Sequence, residues 1–488
     1  MSLISLQSRK SSPKKVLLVY PRADRDISDA ADQGALSEPL ALEYLAAGAR
    51  LDGHEPKIID LRLHSYDEYK QVLQDFQPDV VGVTGYSMHV LRALEICRTA
   101  KDEVSTCTTV VGGHHATLEP IDFFEPQVDY VVGGEGVNPF RAILAADSSK
   151  KAFPIPGIHA QIDGEFRHGG APTPFDINNI PWPARDITGD DRLEYNINWM
   201  KPLALARTSV GCPYRCSFCA LWRIMDGRYY TREIARTAEE IASIKEKYVL
   251  LVDDEAFVNM KRMGELATAL ADQGVEKEYF AYCRLDTLTR ERALMKQWKD
   301  VGLRRLLIGV ETVFDWELAD YNKRQTRDSI LRGLEAADQM GLRLMCNFVV
   351  HPQYGDDEFD GMLEFIRENG LEYPSFTVWT PIPATVKYDE IEVTHKQPNG
   401  RPNWDYFDLN HAVTPTKMPP EQFARRFESL YWMFSSTYAK HGANRYAGQA
   451  MQADPTKSGR KQEELSQAYA RLAAKVLGIS SKPSSPSN

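Results

Sequence analysis

Ser209-Val-Gly-Cys212-Pro-Tyr-Arg-Cys216-Ser-Phe-Cys219-Ala220 decides how the rest of the chain is read. Three thiols stand in a C-x3-C-x2-C array, after the apolar run Leu203 to Leu205 and a turn-forming Gly211-Cys-Pro213. A tight loop lets all three converge on one face. Cysteine thiolates are ligands of iron–sulfur clusters and of structural zinc, and both usually take four protein ligands. The other cysteines, Cys97, Cys107, Cys283 and Cys346, are scattered singly, none with a cysteine or histidine at ligand spacing. The array therefore reads as three ligands and one open coordination position. A closed zinc site lacks its fourth ligand. A disulfide is disfavoured, because no secretory signal is read and a reducing compartment is expected. A [4Fe–4S] cluster with one open iron fits best.

The spacing, the preceding strand and the aromatic Phe218 before Cys219 resemble the radical S-adenosylmethionine superfamily. The resemblance implies that Cys212, Cys216 and Cys219 hold the cluster. It also implies that the open iron binds the amino and carboxylate groups of S-adenosylmethionine.

At 488 residues the chain can hold two or three domains. A hydrophobic share of 43% and a charged share of 26% fit a globular protein rather than a disordered one. A net charge of −10 argues against a nucleic-acid partner, which would want a basic face. No apolar run is long enough to span a bilayer, so no transmembrane segment is expected. Residues 1–13 are polar and read as a disordered lead rather than a signal peptide. A cytoplasmic enzyme is the expectation, with a small-molecule or lipid substrate.

From residue 14 to 147, apolar strands alternate with amphipathic helices. Lys15 to Tyr20, Lys57 to Asp60, Val80 to Thr84, Thr108 to Val111 and Asp129 to Val132 read as strands. Pro39 to Leu51, Ser65 to Phe76 and Val90 to Lys101 read as helices. The pattern predicts a doubly wound, Rossmann-like α/β domain, whose ligand binds beyond the carboxyl ends of the strands. Those ends carry Thr84-Gly85-Tyr86-Ser87, Gly112-Gly113-His114-His115-Ala116-Thr117 and Gly133-Gly134-Glu135-Gly136. Glycine permits close backbone approach, so three such loops suggest a large, flat ligand, although tight βα turns alone would use glycine too. The set resembles the cobalamin-binding domain found ahead of many radical S-adenosylmethionine domains. That resemblance implies cobalamin contacts at Thr84, Gly85, Ser87, Gly112, Gly113, His114, Thr117, Gly134, Glu135 and Gly136. The family's D-x-H-x-x-G loop is replaced by Arg22-Ala-Asp-Arg-Asp26, so cobalamin is expected without a histidine below cobalt.

Residues 148–199, rich in Pro, Asp and Asn, read as an extended linker. A second βα series spans 200–385, with strands at Leu203 to Thr208, Tyr248 to Val252, Tyr279 to Cys283, Arg305 to Val310, Leu344 to Val350 and Ser375 to Trp379. Six units are too few for a closed eight-stranded barrel. They resemble the open (βα)6 partial TIM-type barrel of the radical S-adenosylmethionine fold. Functional groups belong at the carboxyl ends of such strands. Here these are Asp253-Asp254-Glu255, Arg284-Leu285-Asp286, Glu311-Thr312 and His351-Pro352. Ordinary capping would also use such residues. In the family a carboxylate after the second strand contacts the methionyl ammonium, which implies cofactor contacts at Asp253 and Asp254. Arg284 matches a position that pairs with the methionyl carboxylate, a task suited to a planar guanidinium. Glu311 matches a position near the ribose hydroxyls.

Pro381-Ile-Pro383-Ala384-Thr385 resembles the family's P-x-P-G-T turn, with Ala384 in place of glycine, so a different turn is expected. Residues 386–478 read as a C-terminal helical cap over the open barrel, including the amphipathic stretch Pro420 to Tyr438 and a second helix at Lys461 to Leu477. Residues 479–488 read as a disordered tail. The resemblance implies three cofactors: a [4Fe–4S] cluster, S-adenosylmethionine and cobalamin. It further implies an external one-electron donor of flavodoxin or ferredoxin type, and methyl transfer to an unactivated carbon. A weaker resemblance, carried by Phe407 to Thr416 and His351-Pro352, points to hopanoid C-3 methylases. Two other readings stay open: a cobalamin radical enzyme forming a ring or oxidising without methyl transfer, and a non-catalytic cobalamin or metal sensor. No catalytic acid or base is assigned.

Overall fold

Apolar strands, each followed by a helix, build two parallel sheets in this chain. The computed structural model describes residues 12–24, 35–146, 154–172, 175–197 and 199–434. The expected lead up to residue 11, residues 25 and 26 of the loop after the first strand, the second C-terminal helix and the tail lie outside the described residues.

The first sheet holds β1 (Lys15–Tyr20), β2 (Glu55–Asp60), β3 (Val80–Thr84), β4 (Thr108–Gly112) and β5 (Tyr130–Val132) in the parallel order β2-β1-β3-β4-β5. Val16 to Val19 are wholly buried, because successive side chains point to opposite, covered faces. Val16 and Leu18 pack with Leu42 and Ala46 of α1 (Leu40–Leu51). Leu17 and Val19 pack with Tyr69 and Leu73 of α2 (Tyr66–Phe76) and with Ala93 and Ile96 of α3 (Val90–Glu103). Ser65 opens α2 with a capping box to Glu68, as its sequence suggests. The strand order reverses between β1 and β3, so the ligand crevice lies at their carboxyl ends.

The stretch expected to be an extended linker differs. It carries β6 (Ile158–Ile162) and β7 (Glu165–His168), which continue the first sheet in antiparallel fashion. Asp163-Gly164 joins them with φ of +53° and +84°, the left-handed pair that a two-residue hairpin turn requires.

The second sheet holds β8 (Leu203–Ala206), β9 (Tyr248–Leu251), β10 (Glu278–Cys283), β11 (Leu303–Glu311), β12 (Arg343–Val350) and β13 (Pro374–Val378), all parallel and in chain order. Its intervening helices bury Ile241, Leu266, Trp298, Ile330 and Phe365 in one core. β8 and β13 remain the two edges, as an open barrel requires. The C-terminal helix, described over Pro420–Met433, adds Phe423, Phe427 and Leu430 to that core. The residues before it cross over instead. Val393, Trp404, Phe407 and Val413 pack with α2 and α3 of the first domain.

The free edge of β8 is covered by side chains rather than by a strand. Leu205 N donates to Glu38 Oε1 at 2.6 Å, and Leu205 O accepts from the Arg185 guanidinium at 2.6 Å. Arg192 joins Glu38 at 2.6 Å, Glu43 at 3.3 Å and Glu246 at 2.6 Å. This buried network ties α1 to the barrel. Burial and the neighbouring Glu38 push the Glu43 carboxyl from an ordinary 4.5 up to about 8. A carboxyl raised in the folded state stabilises the fold fully below its unfolded pKa, and that contribution is lost as pH rises through the folded value. The melting temperature is therefore expected to fall as pH rises from about 4.5 to about 8, and Glu43→Gln should flatten that fall. Thermal melts across a pH series check this; an unchanged slope in the variant contradicts it.

Ala384 answers a second expectation. It adopts φ of +66°, the left-handed conformation a glycine would take, with Thr385 N donating to Ile382 O at 3.1 Å. The turn therefore keeps a glycine-type conformation, and alanine carries the backbone strain. Ala384→Gly is expected to stabilise the chain by about 0.5–1 kcal/mol in urea titration, the left-handed penalty less the added freedom of unfolded glycine.

Candidate active site

The cysteine loop leaves the carboxyl end of β8 and is fixed on several sides. Gly211 has φ of +86°, and a Cβ there would lie 2.0 Å from Arg228 O, so only glycine fits. Ser217 N donates to Tyr321 O at 3.1 Å, Asn322 Nδ2 to Arg215 O at 3.1 Å, and Trp222 Nε1 to Cys216 O at 3.2 Å. Phe218 packs on Tyr321 with ring centroids 4.8 Å apart. Cys216 is buried; Cys212 and Cys219 are half-buried. Burial pushes the Cys212 thiol up to about 11 and Cys219 up to about 12, and raises Cys216 as well. Three thiolates here thus need cationic compensation, which an iron cluster supplies. Among the described residues, no three His, Cys, Asp or Glu are grouped to hold a single metal ion. Three thiols on one loop, with Cys212 and Cys216 both within electrostatic reach of Cys219, are the donor set that would hold a [4Fe–4S] cluster.

Asp253 and Asp254 follow β9. Asp253 is wholly buried, and its Oδ1 accepts from Thr208 N at 3.0 Å, from Ser209 Oγ at 2.5 Å and from Ser209 N. It therefore anchors the strand end that delivers the cysteines, while its Oδ2 has no hydrogen-bond partner. Burial pushes it up to about 6. Asp254 Oδ2 accepts from Gly211 N at 2.8 Å. Arg284, after β10, stacks on Tyr214 at 4.2 Å and donates to Asp286 at 3.0 Å and to Lys323 O at 2.8 Å. Glu311 ends β11 with φ of +64° and meets the Lys323 ammonium at 2.5 Å. The structure thus brings the three cysteines, Asp254, Arg284 and Glu311 to one edge of the second sheet.

The glycine loops assemble at the corresponding edge of the first sheet. Gly113 has φ of +106°, and a Cβ there would lie 2.8 Å from Gly85 N, Gly85 O and Thr84 Oγ1. Thr117 Oγ1 donates to Gly113 O and accepts from Gly134 N, both at 2.8 Å. Glu135 accepts from Val137 N at 2.6 Å and opens the helix Val137–Ala145. A Cβ built on Gly134 meets nothing within 4 Å, and one on Gly136 meets only Leu45 at 3.6 Å. Open backbone there, with close packing at Gly113, leaves a main-chain surface that a broad ligand face can approach. Ser87 is committed to His115 Nδ1 at 2.9 Å, and His115 Nε2 meets Asp122 at 3.0 Å. His89 is buried with Nε2 unpartnered; burial and Arg62 push it down to about 3, so it is neutral.

The two edges face each other. One cavity is lined by His114 from the first domain and by Arg207, Ser209, Leu221, Met225 and Asp254 from the second. Arg207 lies 5.6 Å from the Tyr44 ring of α1, and burial beside Arg207 holds His114 down to about 4. His114 of the first sheet's carboxyl-end loops and Asp254 of the second sheet's thus line the same small cavity.

Sequence reading missed Lys323, Arg207 and Tyr44. A lone lysine in a loop carries no spacing signal. Arg207, next to the C-terminal end of β8, could have been found by the strand-end rule that found Arg284.

Residues 207–366 match the radical SAM superfamily, and residues 30–144 match the B12 binding domain. The hopanoid C-3 methylase of Methylococcus capsulatus is 31% identical over 397 residues, covering 79% of this chain and 74% of that one. An anaerobic magnesium-protoporphyrin IX monomethyl ester cyclase of Cereibacter sphaeroides is 25% identical over 438 residues, covering 83% and 67%. Among solved structures, the cobalamin-dependent S-adenosylmethionine radical enzyme OxsB, with aqua-cobalamin and S-adenosylmethionine bound, aligns with a TM-score of 0.67 at 16% identity, covering 96% of this chain and 72% of that one. At that identity the likeness is one of fold.

Proposed function

The chain belongs to the radical S-adenosylmethionine superfamily, in the branch with a B12-binding domain ahead of the radical domain, and we propose that it methylates an unactivated carbon of a lipid or small-molecule natural product. The observation that carries this reading is the cavity where the cysteine-loop edge meets the glycine-loop edge. When bound, the cluster, S-adenosylmethionine and cobalamin supply the one-electron cleavage, the hydrogen-abstracting species and a transferable methyl group. The chain's own part is to hold and orient. Cys212, Cys216 and Cys219 ligate the cluster. Arg284, fixed by Asp286 and Tyr214, presents its guanidinium to the methionyl carboxylate. Asp254 takes the methionyl ammonium, and Glu311 the ribose hydroxyls. The glycine loops from Thr84 to Gly136 accept the corrin, and the crossing residues Val393 to Val413 exclude water from that side.

The likeness to a hopanoid C-3 methylase, at 31% identity, favours an apolar polycyclic lipid as substrate. A reducing, cytoplasmic setting with a flavodoxin- or ferredoxin-type donor suits seven cysteines that carry no disulfide. No described helix is long and apolar enough to cross a membrane.

The test is anaerobic loading with iron, sulfide and cobalamin, then incubation with reductant and S-adenosylmethionine, followed by mass spectrometry. 5′-Deoxyadenosine together with S-adenosylhomocysteine supports methyl transfer. 5′-Deoxyadenosine alone favours the cyclase-type outcome. Neither product overturns the reading of the cysteine loop.

A further inference from the structure

We propose that Lys323 is a positioning residue for S-adenosylmethionine, setting Glu311 through its ammonium and Arg284 through its main chain; this rests on the function proposed above. Lys323 is nine-tenths buried, where an ammonium needs partners. Its Nζ donates to Glu311 Oε1 and to Gly309 O, both at 2.5 Å. Its carbonyl accepts from the Arg284 guanidinium at 2.8 Å. One residue thus joins the two groups that match the nucleoside and amino-acid ends of the ligand.

Backbone strain gathers at the same point. Glu311, Asn322 and Arg324 all hold left-handed φ, of +64°, +49° and +57°. None is glycine, and such residues persist only where their surroundings over-determine them. Gly309 leaves the room: a Cβ there would lie 2.0 Å from Glu311 Oε1 and 2.4 Å from Lys323 Nζ. Asn322 also ties this loop to the cysteine loop through Arg215 O. Two residues beyond Lys323, the Gln325 carboxamide is buried with neither its oxygen nor its nitrogen partnered. A buried amide with free donors and an acceptor is what a polar ligand's site leaves open. Lys323 therefore holds the Glu311 carboxylate in an orientation its backbone would not keep alone, before the ligand arrives.

The test is a double-mutant cycle on ligand affinity. S-Adenosylmethionine binding to cluster-loaded protein is measured by calorimetry for the parent, Lys323→Met, Glu311→Gln and the double variant, with iron content and cobalamin absorbance recorded for each. Lys323→Met should weaken binding roughly 10- to 100-fold, the range of a lost charge-assisted hydrogen bond, with iron and cobalamin at parent levels. Added to Glu311→Gln, it should weaken binding by less than about twofold more, because it acts through Glu311. Lys323→Arg should restore most of the affinity. Parent-like affinity in Lys323→Met, or additive losses in the double variant, overturns the proposal. Should Lys323→Met load no iron, the proposal stands only if Lys323→Arg loads iron and binds within about threefold of the parent, and falls if it does not. A parent that binds no S-adenosylmethionine would instead defeat the function proposed above.

Discussion

Cys212→Ala is expected to reduce 5′-deoxyadenosine formation by roughly 10³-fold or more, the scale of removing one member of a group that acts as a unit, while cobalamin loading stays at the parent level. Two thiolates cannot hold a cluster that needs three protein ligands. The loop itself should persist, because it is fixed elsewhere, through Ser217 to Tyr321 O and Trp222 to Cys216 O. The glycine loops belong to another sheet with its own buried cores. Iron content, corrin absorbance and nucleoside product, measured on one preparation, separate the two sites. Loss of corrin together with iron would mean that the two edges form only as a unit.

Gly113→Ala should do the converse. The added methyl would stand 2.8 Å from Gly85 N, Gly85 O and Thr84 Oγ1, on a backbone with φ of +106°. Two of those atoms are main chain, so the β3 and β4 loops must part to admit it. The strain is of order 1–3 kcal/mol, and the displaced loops are those that match cobalamin contacts. Cobalamin affinity is expected to fall about 100-fold, with 5′-deoxyadenosine still formed but no S-adenosylhomocysteine from methyl transfer. Gly164→Ala in the β6–β7 hairpin serves as the control. Its φ is also left-handed, at +84°, and its Cβ would meet nothing within 4 Å, so cobalamin affinity should stay at the parent level. Equal cobalamin affinity in the Gly113 variant and the parent would remove these loops from the corrin site.

The strand and helix pattern of both sheets was legible, because buried parallel strands are continuous apolar runs and the helices between them carry ordinary start and stop signals. Ser65 and the run Val16 to Val19 are instances. The cysteine loop was singled out by its spacing together with the strand before it and Phe218 within it. The hairpin at Asp163-Gly164 was legible in principle, since that dipeptide is a strong turn signal; the prolines around it drew the reading toward a linker. Ala384 was read as a departure, yet its neighbours hold it in the glycine conformation. Other features carry no local signal. Asp253 and Asp254 are adjacent in sequence, but one grips Ser209 while the other lines the cavity, a difference set by pleat direction and burial. Glu38 and Leu205, 167 residues apart, meet only through tertiary packing. Lys323 acquires its place from the strained loop around it.

That contact between Glu38 and Leu205 bears on how the polypeptide is made. Synthesis delivers α1 well before β8, and domains tend to fold in the order they emerge. When β8 leaves the ribosome, the outward N–H of Leu205 therefore meets the Glu38 carboxylate of a segment made long before it. An exposed strand edge would otherwise invite pairing with a neighbouring nascent chain. Glu38, made first, thus shields the outward edge of the barrel's opening strand.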